Sequence, residues 1–199
     1  ERIEGVEMDK ETIAVVSGLP RSGTSMMMRM LEAGGLEALT DNIRTADRDN
    51  PEGYYEFERV KQLDHDTAWL EDAEGRVVKI ISQLLQELPD GRTYKVVFMH
   101  RAMDEILASQ RRMLVRRGES TDKISDEQMA ALFRKHMERV EGWLDQQPNF
   151  EVLHVSYNEV LAHPQEEAKR VNSFFDHALD VGAMIEVVDP SLYRQRHEG

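Results

Sequence analysis

The chain has 199 residues, 40% of them hydrophobic, and its 25 basic and 38 acidic side chains give a formal charge of -13. That length suits one domain, read as residues 1–199, and the acidic balance sets most of the surface against nucleic acid phosphates or an anionic membrane, so neither is an expected partner. With no cysteine, no apolar run near the roughly 20 residues of a membrane helix and no secretory leader in "ERIEGVEMDK", disulfides and zinc–thiolate sites are excluded, and a cytoplasmic setting is expected.

In chain order, "TIAVV" (12–16) is a β-branched run ended by Ser17-Gly18, and "TSMMMRMLEAGG" reads as a helix stopped at Gly34-Gly35. "LTDNIRTADRDNPEGYYEFE" is dense in Asp, Asn, Pro and Gly, so a long and hence functional loop is expected there, leading into a helix over 56–72. "RVVKIISQLLQEL" predicts a strand over 77–80 running into a helix that ends at Pro89-Asp90-Gly91. "YKVVFMHR" is a nearly unbroken apolar run that suits a strand buried on both faces, with a long helix from about Met103 after it. Ser125 then caps another helix, with Glu127 and Gln128 in its first turn. "FEVLHVSY" is a further strand, "PQEEAKRVNSFFDHAL" a further helix, and the tail "VVDPSLYRQRHEG" is irregular. This alternation predicts an α/β fold, a P-loop-like three-layer sandwich whose central, mostly parallel sheet is flanked by helices.

An anion bound by so acidic a chain must meet a local concentration of arginine and backbone N–H groups. "GLPRSGTS" (18–25) is the first such place, because a turn from a buried strand into a helix aims successive N–H groups and the positive helix end at one point. Its glycines have the spacing of a nucleotide-triphosphate loop, but Thr24 stands where that motif needs lysine. Arg21 supplies the charge from inside the loop, and "KVVFMH" runs into Arg101 where a magnesium-holding Asp would be welcome. A cradle without an evident metal site suits a transferred group less charged than a terminal phosphate, such as sulfonate; the same residues also read as a glycine-containing turn capped by Thr24 or Ser25.

Arg101 and Ser109 lie eight residues apart, two helical turns, so the pair can grip one phosphate from two sides. Singly, they read as a strand-end charge and an ordinary helix polar residue. Met26, Met27, Met28 and Met30 fit core filling, and His65, His100, His136 and His154 show no metal-ligand spacing.

Together these stretches resemble the sulfotransferases that use 3′-phosphoadenosine 5′-phosphosulfate (PAPS) and release 3′-phosphoadenosine 5′-phosphate (PAP). "PRSGTS" is similar to the family's 5′-phosphosulfate loop in the arginine form of protein-tyrosine sulfotransferases, and Arg101 with Ser109 to its 3′-phosphate motif. "VLHVSYNEVLAHP" is similar to the "Tyr-Glu-Asp-Leu...Pro" segment, with Tyr157 as the nucleotide-contacting tyrosine and Asn158 in place of the usual acidic residue. "NPEGYYE" resembles a bacterial group of short sulfotransferase-like proteins. The resemblance implies in-line, metal-independent sulfonyl transfer to a hydroxyl or amine of a small-molecule or peptide acceptor.

In that picture Arg21, Ser22, Gly23, Thr24 and Ser25 hold the phosphosulfate, and Lys79 sits where family members carry a lysine that reaches the same group. Asp41, within one position of the glutamate of protein-tyrosine sulfotransferases, and Glu56 are candidate general bases, and Arg44 is a candidate to orient an anionic acceptor. The family's basic C-terminal loop has no recognisable counterpart; Arg194 and Arg196 of "SLYRQR" are candidates to replace it or belong to a solvated tail. Two other readings stay open: a P-loop kinase or nucleoside triphosphatase, against which Thr24 speaks, and an inactive nucleotide-binding module.

Overall fold

Four parallel strands make the sheet of this computed structural model, which describes residues 11–41, 55–119 and 124–188. Among these residues the strands are β1 (Thr12–Gly18), β2 (Val77–Lys79), β3 (Thr93–His100) and β4 (Phe150–Ser156), in the order β2-β1-β3-β4. Every residue of β1 is buried, which is what a central parallel strand covered on both faces demands.

Alternation along the strands sorts side chains into two cores. On one face Ala14, Val16, Val97, Met99 and Val155 pack with the buried methionines Met27, Met28 and Met30 of α1 (Thr24–Ala33), as core filling requires. On the other face Ile13, Val15, Val96 and Phe98 meet Trp69, Leu70 and Leu85, together with Val140 and Leu144 of α3 (Asp126–Leu144). The result is a three-layer α/β sandwich.

The remaining helices are α2 (Met103–Arg116), α4 (Tyr157–Ala162), α5 (Pro164–Phe174) and α6 (Val181–Glu186). Ser125 caps α3 in a full capping box with Gln128, as its sequence predicts. The short α4 is capped by Ser156, whose Oγ accepts the Glu159 N–H at 3.3 Å, and it stops at His163 because Pro164 disfavours helical backbone just before it. No helix among the described residues is long and apolar enough to cross a membrane.

Two expected helices are corrected. The stretch 56–72 holds only short 3-10 turns, Glu58–Gln62 and Ala68–Leu70. Asp66 breaks it: its carboxylate accepts the Ala68 N–H at 3.2 Å and ion-pairs with Arg59, while its carbonyl accepts from the Trp69 indole at 3.0 Å. After β2 the expected helix is likewise a 3-10 segment, Ser82–Glu87, with Ser82 and Leu85 three residues apart on its buried side.

Candidate functional site

At the carboxyl edge of the sheet β1 pairs with β3 through Gly18 and Met99, so the 18–25 loop and Arg101 leave neighbouring strands side by side. Gly23 is the N-cap of α1 at φ 100°, and no side chain caps that helix. The first internal helix bond runs from the Met27 N–H to the Gly23 carbonyl at 3.1 Å, so the N–H groups of Thr24, Ser25 and Met26 come before the ladder begins. No acidic residue stands in the first turn to compete with an anion. Arg21 has φ 73°, a left-handed conformation that non-glycine residues adopt only under constraint.

That constraint is a chain of contacts across three segments. The Arg21 Nε donates to Ser109 Oγ at 2.8 Å, and the Arg21 carbonyl accepts from Arg101 Nη1 at 3.1 Å. Arg101 Nε donates to Glu105 Oε2 at 2.8 Å, with the two side chains only 8% and 3% exposed. The other Glu105 oxygen, Oε1, accepts from Asn158 Nδ2 at 3.0 Å, and Asn158 Oδ1 accepts the Ala102 N–H at 3.4 Å.

Tyr157 completes the assembly. The Arg101 guanidinium lies 4.3 Å from its ring centroid, and a Cβ on Gly23 would come within 2.4 Å of the same ring, so only glycine fits there. Burial pushes the Tyr157 hydroxyl above its ordinary pKa, against the opposing pull of the Arg101 charge.

The structure therefore brings Arg21, Ser22, Gly23, Arg101, Ser109 and Tyr157 together, with one difference from the sequence reading. Arg101 and Ser109 are tied through the loop, Ser109 to the Arg21 side chain and Arg101 to the Arg21 main chain. Those two Arg101 contacts use two of the five N–H donors of a guanidinium. Glu105 was not singled out by sequence, and Asn158 only as a departure from the acidic residue of the family it resembles. Glu105 stands in the first turn of α2, four residues after Arg101, a spacing that could have suggested the pair. Asn158, in the position the family usually gives to an acid, places an amide against Glu105 where a second carboxylate would be repelled.

A cleft of about 250 Å³ opens beside this edge, lined by Leu19, Ser22, Arg101, Met103 and residues of α3. Ser22 is 1% exposed and its hydroxyl has no partner among the described residues. A buried, orphaned hydroxyl in a loop of converging N–H groups fits an anion better than it fits a closed turn. On the β2 side of the loop, Lys79 Nζ reaches Ser25 Oγ at 3.5 Å, the long limit of a hydrogen bond.

Asp41 and Glu56 are neighbours. The Asp41 N–H meets the Glu56 carbonyl at 3.3 Å, Thr40 Oγ1 donates to the same carbonyl at 3.0 Å, and the Asp41 carboxylate accepts the Glu58 N–H at 2.6 Å. Arg44, Arg194 and Arg196 lie outside the described residues.

Compared with known proteins, residues 36–180 match the model of a family described as the sulfotransferase family. The match begins after the 18–25 loop, so the loop's geometry is an observation independent of it. Similar solved structures include a sulfotransferase domain of the Synechococcus PCC 7002 olefin synthase, at 15% identity and TM-score 0.54 over 98% of this chain and 87% of that one. Another is a sulfotransferase from Mycobacterium tuberculosis H37Rv, at 19% identity and TM-score 0.54 over 94% of this chain and 78% of that one. No curated protein matches the chain.

Proposed function

We propose that this chain, which belongs to the sulfotransferase family, transfers a sulfonyl group from PAPS to a hydroxyl or amine of a small-molecule or peptide acceptor, with no metal in the transfer step. The observation that carries the donor assignment is the orphaned Ser22 hydroxyl at the mouth of an uncapped helix whose loop is fastened by Arg101. Bound PAPS supplies an activated sulfonyl group on a mixed phosphate–sulfate anhydride.

The chain's own groups then divide the work. Arg21, the Ser22 hydroxyl and the N–H groups of Gly23, Thr24 and Ser25 offer fixed positive potential where charge grows on the leaving phosphate oxygen, the kind of preorganised stabilisation that lowers a barrier most, while the Ser22 N–H is spent on the Leu19 carbonyl at 3.1 Å. Lys79, beside Ser25, adds a mobile cation at the same place. Arg101 and Ser109 hold the 3′-phosphate with donors beyond those the loop uses, and Tyr157 lines the nucleotide. Asp41 takes the acceptor proton, with Glu56 next to it as the second candidate.

Calorimetric titration with PAP, with and without magnesium, tests the reading. Binding is expected to be magnesium-independent and to weaken roughly tenfold in Ser109→Ala, which removes one charge-assisted partner without touching the Arg101–Glu105 pair. Absence of PAP binding by the wild type, or a preference for magnesium–ATP, overturns the donor assignment and returns the chain to the kinase-like reading. Binding without turnover on any acceptor marks an inactive nucleotide-binding module.

A further inference from the structure

Two histidines 54 residues apart in sequence face each other across neighbouring strands. The register pairs Phe98 with His154 and His100 with Ser156, so His100 and His154 sit diagonally on one sheet face. His100 Nε2 and His154 Nδ1 are 2.8 Å apart. Two unprotonated ring nitrogens that close repel through their lone pairs, so the gap must be bridged by a proton or by a cation.

A carboxylate from a third element joins them. Glu141 of α3 puts Oε1 3.8 Å from His100 Nδ1, the ring nitrogen other than the one that meets His154; one ion takes one nitrogen from each ring, and with one ligand atom per residue His100, Glu141 and His154 fall within 4.8 Å of one another. A first-row ion with bonds of about 2.0–2.2 Å holds its ligand atoms about 3 Å apart, so sub-ångström to roughly 2 Å side-chain adjustments collect this set. The Phe98 ring lies 5.3 Å from the His100 ring and 5.7 Å from the His154 ring, giving the pair an apolar floor that limits water on one side. His100 and Glu141 also line the 250 Å³ cleft, which supplies an entry path.

We infer that His100, Glu141 and His154 form a binding site for a borderline divalent transition ion such as Zn²⁺, with at least one coordination position open to the cleft. Two imidazoles and one carboxylate are the donor set such ions prefer, and hard ions such as Mg²⁺ do not select imidazole. The site is built from β3, β4 and α3 and shares its cleft with Ser22 and Arg101, whereas the groups proposed to act on the sulfonyl group and the acceptor, Arg21, Lys79 and Asp41, lie around β1 and β2. It therefore stands beside the transfer chemistry and supplies no group to it. Its effect is to pin α3 to the β3–β4 edge next to Arg101.

The experiment uses the untagged full chain. Co²⁺ is titrated while the visible d–d absorption is followed, and Zn²⁺ is titrated against a chromophoric chelator. One Co²⁺ per chain with a saturable visible band is expected, displaced by Zn²⁺. His154→Ala is expected to abolish the band, and Glu141→Gln to weaken Zn²⁺ at least tenfold. Both residues lie at or near the surface, and circular dichroism verifies that each variant is folded. A wild type without saturable binding overturns the inference, as does binding that is unchanged in both variants, since the remaining histidines would then be the ligands. PAP titration of the same sample reads the donor site separately, so either proposal can fail alone.

Discussion

The region around Arg21 and the region around Asp41 are held in opposite ways. At Arg21, three segments converge through charged or charge-assisted contacts around the buried Glu105 and Ser109 and the largely buried Arg101 side chain: the loop, the stretch from Arg101 to Ser109, and the Tyr157–Asn158 pair. At Asp41, the contacts include the backbone of a half-buried turn, and Lys79, on the β2 side of the loop, touches Ser25 at the limit of hydrogen-bond distance. A buried charge pair with a donor at each carboxylate oxygen is held to one geometry, whereas a carboxylate in a turn can re-aim when something binds. The first region is organised in advance for a fixed ligand, the nucleotide donor in our proposal. The second keeps the latitude an acceptor site needs.

Removing the anion at the centre of the locked region is the most disruptive way to challenge that contrast. Glu105→Ala leaves the Arg101 guanidinium, 8% exposed, without its counter-charge and Asn158 Nδ2 without its acceptor. Breaking a buried pair from one side costs about 3–5 kcal/mol. Urea unfolding should show a loss of that size, accompanied by weaker PAP binding as the loop loses the fixed Arg101. A loss under about 1 kcal/mol would mean that the pair is solvated and that the loop is not locked through it.

Asp41→Asn probes the other side. The amide oxygen still accepts the Glu58 N–H that the carboxylate accepts now, so melting should change by no more than about 0.5 kcal/mol. Turnover should fall by roughly 10²-fold or more, because an amide cannot take the acceptor proton. Unchanged turnover with unchanged stability would reduce Asp41 to a turn residue and pass the role to its neighbour, for which Glu56→Gln is the matching variant.

The same contrast runs through what the sequence makes legible. β1 and β3 are readable because a central parallel strand covered on both faces is mostly apolar, the edge strand β4 because β-branched and aromatic residues recur along it, and the 18–25 loop because its glycines answer to backbone geometry: Gly23 faces the Tyr157 ring too closely for any Cβ. Val60, Leu63, Leu70 and Ala73 are spaced as on a helix face, yet Asp66 satisfies local N–H groups and turns the chain between them, a competition that spacing does not reveal. The contact between Glu105 and Asn158 was hidden for another reason: Asn158 arrives from 53 residues away, through the β3–β4 pairing. The same pairing brings His100 to His154, so their separation in sequence said nothing about their separation in space.

The smallest effect tests how far the looser side depends on its flank. His136 of α3 lies with Nε2 2.9 Å from Ser82 Oγ, which ties α3 to the 3-10 segment that follows Lys79. Burial first, and then the Arg139 charge, lower the His136 pKa below its ordinary value of 6.5. A group whose folded pKa is depressed binds its proton more tightly in the unfolded chain, so its contribution to stability is present above pH 6.5 and is lost as the pH falls through and below that value. Between pH 8 and pH 5.5 the urea midpoint of the wild type should therefore decline more than that of His136→Gln, whose amide cannot titrate. His100 carries a shift of the same sign, from burial and from the His154 charge, so the slope of the variant should shrink without vanishing. Equal slopes would show that the Ser82–His136 contact opens freely to water, leaving the region around Lys79 more loosely held than the comparison requires.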